Sequence, residues 1–166
     1  MKNIVLIGMP GCGKSTLGKL LAQRLQRPFY DADSVLEERE GRTIQELFAV
    51  SEECFRDAET RAVKHLAGMA GCVIAAGGGV VKRSENIDIL KTSGIVIFLD
   101  RRPEKIVQDV DTASRPLLAA GRQKVFDLYD ERIELYRSFH DHIVDNNGER
   151  EATLQALLEL AGRESL

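Results

Sequence analysis

The sequence predicts an α/β domain in which a parallel sheet is covered by helices on both faces. Short apolar runs alternate with stretches of helical periodicity along its 166 residues. Four of those runs are continuously apolar, as strands buried on two faces must be. A glycine-rich stretch, "GMPGCGKST" at 8–16, sits where the first run passes into the first helical pattern.

The elements follow in order. "NIVLI" at 3–7 has the length and apolarity of a buried strand. Leu17, Leu20, Leu21 and Leu25 then recur at helical spacing, and "PFYD" at 28–31 reads as a second strand. Helical text fills 33–69, with breaks near Gly41 and at Ser51, an N-cap candidate followed by glutamates. "CVIAA" at 72–76 is a third strand and "IVIFL" at 95–99 a fourth, with helices near 84–92 and 102–109. The stretch 110–124, "VDTASRPLLAAGRQK", has no clear periodicity and reads as a lid or a plain connection. A helix near 125–138, a short fifth strand "HIV" at 142–144 and a helix at 151–161 complete the chain. Leu154, Leu157, Leu158 and Ala161 form one stripe on that last helix. With no repeat or linker in the text, residues 1–166 are expected to form a single domain, its lid at about 110–124.

Composition narrows the function. A net charge of −3 without a Lys/Arg tract speaks against a nucleic-acid partner. No apolar run approaches the ~20 residues of a membrane span, and Ile4–Ile7 is too short for a signal-peptide core. Cys12, Cys54 and Cys72 are odd in number and far apart, which suits free thiols in a reducing cytoplasm. His140 and His142 form an H-x-H without a third metal ligand nearby in sequence, so two solvated histidines are the expectation.

Gly8, Gly13, Lys14 and Ser15 fit G-x-x-x-x-G-K-[ST], the P-loop. Glycines let successive N–H groups turn inward onto phosphate oxygens, and the following helix adds its positive end. Lys14 can reach the β- and γ-phosphates, and Ser15 offers a hydroxyl to Mg²⁺. Cys12, beside Lys14, is either a reactive thiol or a small residue filling a tight loop. Ligands in open parallel sheets bind beyond the carboxyl ends of the strands. There "DAD" brings Asp31 and Asp33, two apart and on one face if the chain is extended. One could hold magnesium through water and the other orient or deprotonate an acceptor hydroxyl, unless Asp33 only caps the next helix. "GGG" at 77–79 exposes backbone N–H groups or is a flexible turn. Asp100, ending "IVIFLD", could be a Walker B aspartate, but "DAD" competes for that role. Arg56, four after Glu52, and Arg137, four before Asp141, read singly as surface ion pairs.

Taken together, "GMPGCGKST", "FYDAD", "FRDAE", "AAGGGVV", "SRPLL", "ELYR" and "IVDNN" occur in the order and spacing of the shikimate kinases, which the chain resembles nearly end to end. The resemblance implies an adenylate-kinase-like P-loop fold with a five-stranded parallel sheet. It implies transfer of the γ-phosphoryl of ATP to the 3-hydroxyl of shikimate, with Mg²⁺ as cofactor; the chain itself is expected to be a cytoplasmic monomer. In that reading Asp33 is the candidate base, with Lys14 and Arg115 as its catalytic companions. Gly11, Cys12, Gly13, Lys14, Ser15, Thr16, Arg115 and Arg150 bind nucleotide. Asp33, Arg56, Gly78, Gly79 and Arg137 bind shikimate, the two arginines by its carboxylate. Ser15 binds the metal and Asp31 supports it through water.

One departure stands out. Shikimate kinases usually carry an Arg-Thr pair just before the lid, where the arginine packs over adenine. Here "VQDVDT" at 107–112 has no arginine, which leaves Arg150 as the candidate from the other adenine-side loop. The rival readings are a gluconate or nucleoside monophosphate kinase and a GTPase-type binding switch. No D-G-x-P-R stretch supports the monophosphate kinase, and the switch lacks its N-K-x-D motif.

Overall fold

The computed structural model describes residues 1–111 and 121–164. Its sheet has five strands in the order β2-β3-β1-β4-β5, every neighbouring pair parallel. The strands are β1 (Asn3–Ile7), β2 (Phe29–Asp31), β3 (Val73–Ala75), β4 (Gly94–Asp100) and β5 (His142–Asp145). Eight α-helices are described: α1 (Lys14–Leu25), α2 (Ala32–Glu40), α3 (Ile44–Val50), α4 (Glu52–Ala67), α5 (Ser84–Ser93), α6 (Pro103–Asp111), α7 (Arg122–Phe139) and α8 (Arg150–Arg163). From β1 the chain moves to one side for β2 and β3, then crosses to the other for β4 and β5. That reversal opens a crevice at the carboxyl end of β1, where the glycine-rich stretch begins.

Burial explains the strand text. All five residues of β1 are buried, as are all of β3, so neither needs polar alternation. At the sheet edge, β5 buries only Val144. Against the sheet, α1 sets Leu17, Gly18, Leu21 and Ala22 inward. Gly18 is required for close packing, because a Cβ there would stand 2.6 Å from the Phe29 ring.

The long helical text of 33–69 divides where its punctuation says it should. Gly41 ends α2 in the left-handed region (φ 63°), and the Ser51 hydroxyl accepts from the Cys54 N–H to start α4. Between them Thr43 and Glu46 form a reciprocal capping box, which stabilises a helix of only seven residues. Leu36, Leu47, Phe55, Ala58 and Ala62 form a second small core under these three helices. That core holds α2 and α4 as one unit and so fixes Asp33 relative to Arg56. A short 3₁₀ turn at Val80–Lys82, absent from the sequence expectation, closes the glycine run after β3. Among the described residues no helix is long and apolar enough to cross a membrane.

Candidate active site

The phosphate-type loop owes its path to three glycines. Gly8, Gly11 and Gly13 have φ of 153°, 77° and 99°, which side-chain-bearing residues rarely adopt. A Cβ on Gly8 would also meet the Leu99 carbonyl oxygen at 2.8 Å and Cys12 Sγ at 2.9 Å. Cys12 is buried, so its thiol fills the loop from behind and the residue offers only backbone to a ligand. Its carbonyl accepts from Asn146 Nδ2 at 2.6 Å, which ties the loop to the chain after β5. Among the described residues no side chain caps α1 at Gly13. The first N–H groups of that helix are therefore available to an anion. Lys14 lies buried across the loop, Nζ donating to the carbonyls of Gly8 at 2.8 Å and Met9 at 2.9 Å.

Asp31 and Asp33 divide their tasks by position. Strand β2 stops at Asp31, which is the N-cap of α2: its Oδ1 accepts from the N–H groups of Asp33 and Ser34. Asp33 already lies in the first turn of α2, so the expectation of an extended pair is corrected, as is Asp33 as cap. Asp31 Oδ2 accepts from Ser15 Oγ at 2.5 Å, so the two proposed metal-side oxygens do meet. Asp33 is half-buried against Gly77, where a Cβ would stand 3.0 Å from Asp33 Oδ1 and 3.1 Å from Glu59 Oε2. Burial pushes the Asp33 carboxyl up to about 6, and the neighbouring charges of Asp31, Glu59 and Glu37 add to the rise against the opposing pull of Lys14.

Two clefts meet at this carboxylate. One, of about 400 Å³, is lined by Lys14, Ser15, Thr16, Asp31, Asp33, Gly77 and Gly78 among others. The other, of about 380 Å³, runs from Asp33 past Gly79 and Phe55 to Arg56 and Arg132. Pro10, Asp33, Gly77 and Gly78 line both. In the second cleft Arg56 is buried, not the surface charge its i,i+4 spacing suggests. Its Nη1 donates to Glu59 Oε1 at 2.8 Å, while Glu52 stands at 3.5 Å from Nε. Gly79 leaves room for this guanidinium, since a Cβ there would come within 2.4 Å of Nη1. Arg132 is buried too, and its Nε has no hydrogen-bond partner among the described residues. Tyr136, one turn further along α7, donates its hydroxyl to the Gly78 carbonyl and fixes the glycine turn. Burial pushes that phenol up to about 12, so it stays a donor.

Arg137 is the residue the structure moves out of the site. Its side chain is 51% exposed, pairs with Glu134 at 3.1 Å, and does not line the cleft. The expected partner Asp141 instead bonds Lys91 and the Val96 N–H. The reason is helical phase. The inward stripe of α7 holds Arg132, Ile133 and Tyr136, and the next residue turns about 100° away. Glu59 and Arg132 escaped sequence reading, though "FRDAE" places a carboxylate three after Arg56, and Arg132 lies one turn before Tyr136.

On the far side of the loop lies a cleft of about 680 Å³, lined by Gly11, Cys12, Gly13, Thr16, Arg101, Asn146 and Arg150 among others. Arg150, the first residue of α8, is exposed at its rim. Asp100 is absent from the linings of all these clefts, and its carbonyl accepts from the Asn146 N–H at 2.8 Å. Arg115, with most of the stretch 110–124, lies outside the described residues.

Comparison with known proteins agrees with this geometry. The family model described as "Shikimate kinase" matches residues 10–161. A shikimate kinase of Clostridium beijerinckii is 51% identical over 150 residues, covering 90% of this chain and 89% of that protein. One of Clostridium botulinum is 44% identical over 161 residues, covering 96% and 98%. Among solved structures, the shikimate kinase of Acinetobacter baumannii in complex with shikimate superposes with a TM-score of 0.88 at 34% identity, covering 100% of this chain and 96% of that one.

Proposed function

The chain belongs to the shikimate kinase family, and from that premise we propose how its residues divide the transfer of the γ-phosphoryl of ATP to shikimate. The observation that carries the assignment is Asp33, which lines both the phosphate-side cleft and the cleft that ends at Arg56 and Arg132. A group so placed can touch an acceptor hydroxyl while the acceptor's carboxylate is held at the far end.

Nucleotide phosphates occupy the loop. The N–H groups of Gly11–Thr16 contact their oxygens, and Lys14 leaves the Gly8 and Met9 carbonyls for the β- and γ-phosphates. Ser15 and Asp31 are hard oxygen donors 2.5 Å apart beside that loop, a fit for Mg²⁺ held directly by the hydroxyl and through water by the carboxylate. The ion, when bound, neutralises charge on the β- and γ-phosphates. Arg150 stands on the nucleotide side, and Arg115 is assigned from the sequence to the transferring phosphoryl group.

Shikimate occupies the second cleft, its carboxylate gripped by Arg56 and Arg132. This assignment replaces Arg137 with Arg132, because only Arg132 is buried beside Arg56. Glu59 holds Arg56 in place, and Gly78 and Gly79 leave space for the ring. Above pH 6 Asp33 is mainly a carboxylate, placed to take the proton of the 3-hydroxyl. The hydroxyl oxygen forms a bond to the γ-phosphorus as the bond to the β–γ bridging oxygen breaks. ADP leaves, and the proton stays on Asp33 until it passes to solvent.

Residues 1–166 act as one domain in a cytoplasmic monomer; of the stretch 110–124 expected as a lid, 110–111 belong to α6 and 122–124 to α7. The test is a panel of acceptors incubated with MgATP, with the product identified by NMR. Shikimate is expected to be the best acceptor, phosphorylated at its 3-hydroxyl. Faster phosphorylation of gluconate or a nucleoside monophosphate would overturn the acceptor assignment and leave the loop intact.

A further inference from the structure

The phosphate loop opens in two directions. One leads to Asp33 and the acceptor; the other is the cleft of about 680 Å³ between the loop and the chain after β5. On the kinase reading given above, a nucleotide whose reacting end faces Asp33 sends its base into that second cleft. Among the described residues lining it, none is aromatic. It does hold a guanidinium that is fixed in place.

That group is the guanidinium of Arg101, just after β4. Its side chain is only 13% exposed. Nη1 donates to the Asn146 carbonyl on one wall, and Nη2 donates to the Asp109 carboxylate on α6. Its Nε is buried without a hydrogen-bond partner among the described residues. Guanidinium hydrogen bonds run in the plane of the group, so these partners engage its edge and not its faces, and the residue lines the cleft. By contrast Arg150 is exposed, and residues 107–112 contain no arginine.

We propose that Arg101 is the surface on which the nucleotide base stacks, a nucleotide-binding residue supplied from the end of β4. Stacking reads the presence of a ring, whereas a charge that touched phosphates would act whether or not a base is attached. The two roles therefore separate when ADP is compared with inorganic pyrophosphate.

The experiment is calorimetric titration of MgADP and of magnesium pyrophosphate into the intact protein and its Arg101→Ala and Arg101→Lys variants. Both variants are expected to bind ADP about tenfold more weakly, with pyrophosphate affinity changed less than about twofold. Lys should rescue little, because it keeps the charge and the reach to Asp109 but has no plane. Equal losses for the two probes would overturn the proposal in favour of a phosphate contact or a strut between α6 and the chain after β5. Unchanged ADP affinity in either variant would overturn it as well. Should Arg101→Ala not fold, Arg101→Lys decides alone. Wild-type protein is assayed for shikimate phosphorylation alongside: loss there would sink the kinase reading, while the ADP–pyrophosphate comparison still judges Arg101.

Discussion

Replacing Asp33 with Asn should make the protein more stable and the enzyme nearly inactive. In the folded protein the carboxyl is raised from 3.8 to about 6, chiefly by burial and by Asp31 and Glu59. The native state therefore binds this proton more tightly than the unfolded chain. Its stabilising effect is complete below pH 3.8 and is lost as pH rises through 6. The difference, 6 − 3.8 = 2.2 pH units, corresponds to about 3 kcal/mol of native-state strain at pH 8, a ceiling because the group is only partly buried. An uncharged amide of the same shape removes that strain. Urea unfolding of both proteins at pH 8 should show Asp33→Asn more stable by about 1–3 kcal/mol, a rise in Tm of roughly 2–10 °C. At pH 4 the difference should shrink toward zero, since the wild-type carboxyl is then protonated. In wild-type protein, kcat/KM for shikimate should fall on the acid side with an apparent pKa near 6. A variant no more stable at pH 8, or equally stabilised at both pH values, would refute the reasoning.

Arg56→Lys and Arg132→Lys should each lower kcat/KM for shikimate by about 2–4 kcal/mol, thirty- to a thousandfold, while MgADP affinity holds. Arg137→Lys should pass both assays unchanged, given its exposure and its surface partner Glu134. Glu59→Gln removes one of the charges that raise Asp33, so the acid limb of the pH–rate profile should move below 6; a limb that stays put would show that burial alone sets it. Gly79→Ala places a Cβ 2.4 Å from Arg56 Nη1, so the KM for shikimate should rise about tenfold or more with pyrophosphate binding intact.

What could be read from the sequence was what short-range pattern encodes. The strand runs 4–7 and 95–99 are apolar throughout because both faces of the central strands are covered. Gly41 and Ser51 mark helix ends because their caps are local. The phosphate loop is legible for the same reason: its glycines, Lys14 and Ser15 all fall within the one stretch 8–15. What failed was phase and register. "RIELYR" carries two arginines, and only the rotation of α7 decides that Arg132 faces the cleft and Arg137 the solvent. The burial of Arg56 depends on Glu59 and Gly79, which converge through the packing of α4 on the glycine turn. Arg101 reads as an ordinary loop charge until β4 and β5 pair with Asp100 beside Asp145, which brings Asn146 within reach.

Whether the buried arginines read a carboxylate is best decided by comparing shikimate with its methyl ester as acceptors. The ester keeps the ring and all three hydroxyls but loses the charge. Wild-type protein and Arg137→Lys should prefer the acid by about a hundredfold in kcat/KM, and Arg132→Lys should prefer it by less than about tenfold because only the acid loses its two-pronged partner. A preference that survives in Arg132→Lys and collapses in Arg137→Lys would contradict the clamp at Arg56 and Arg132 and return the role to the surface residue.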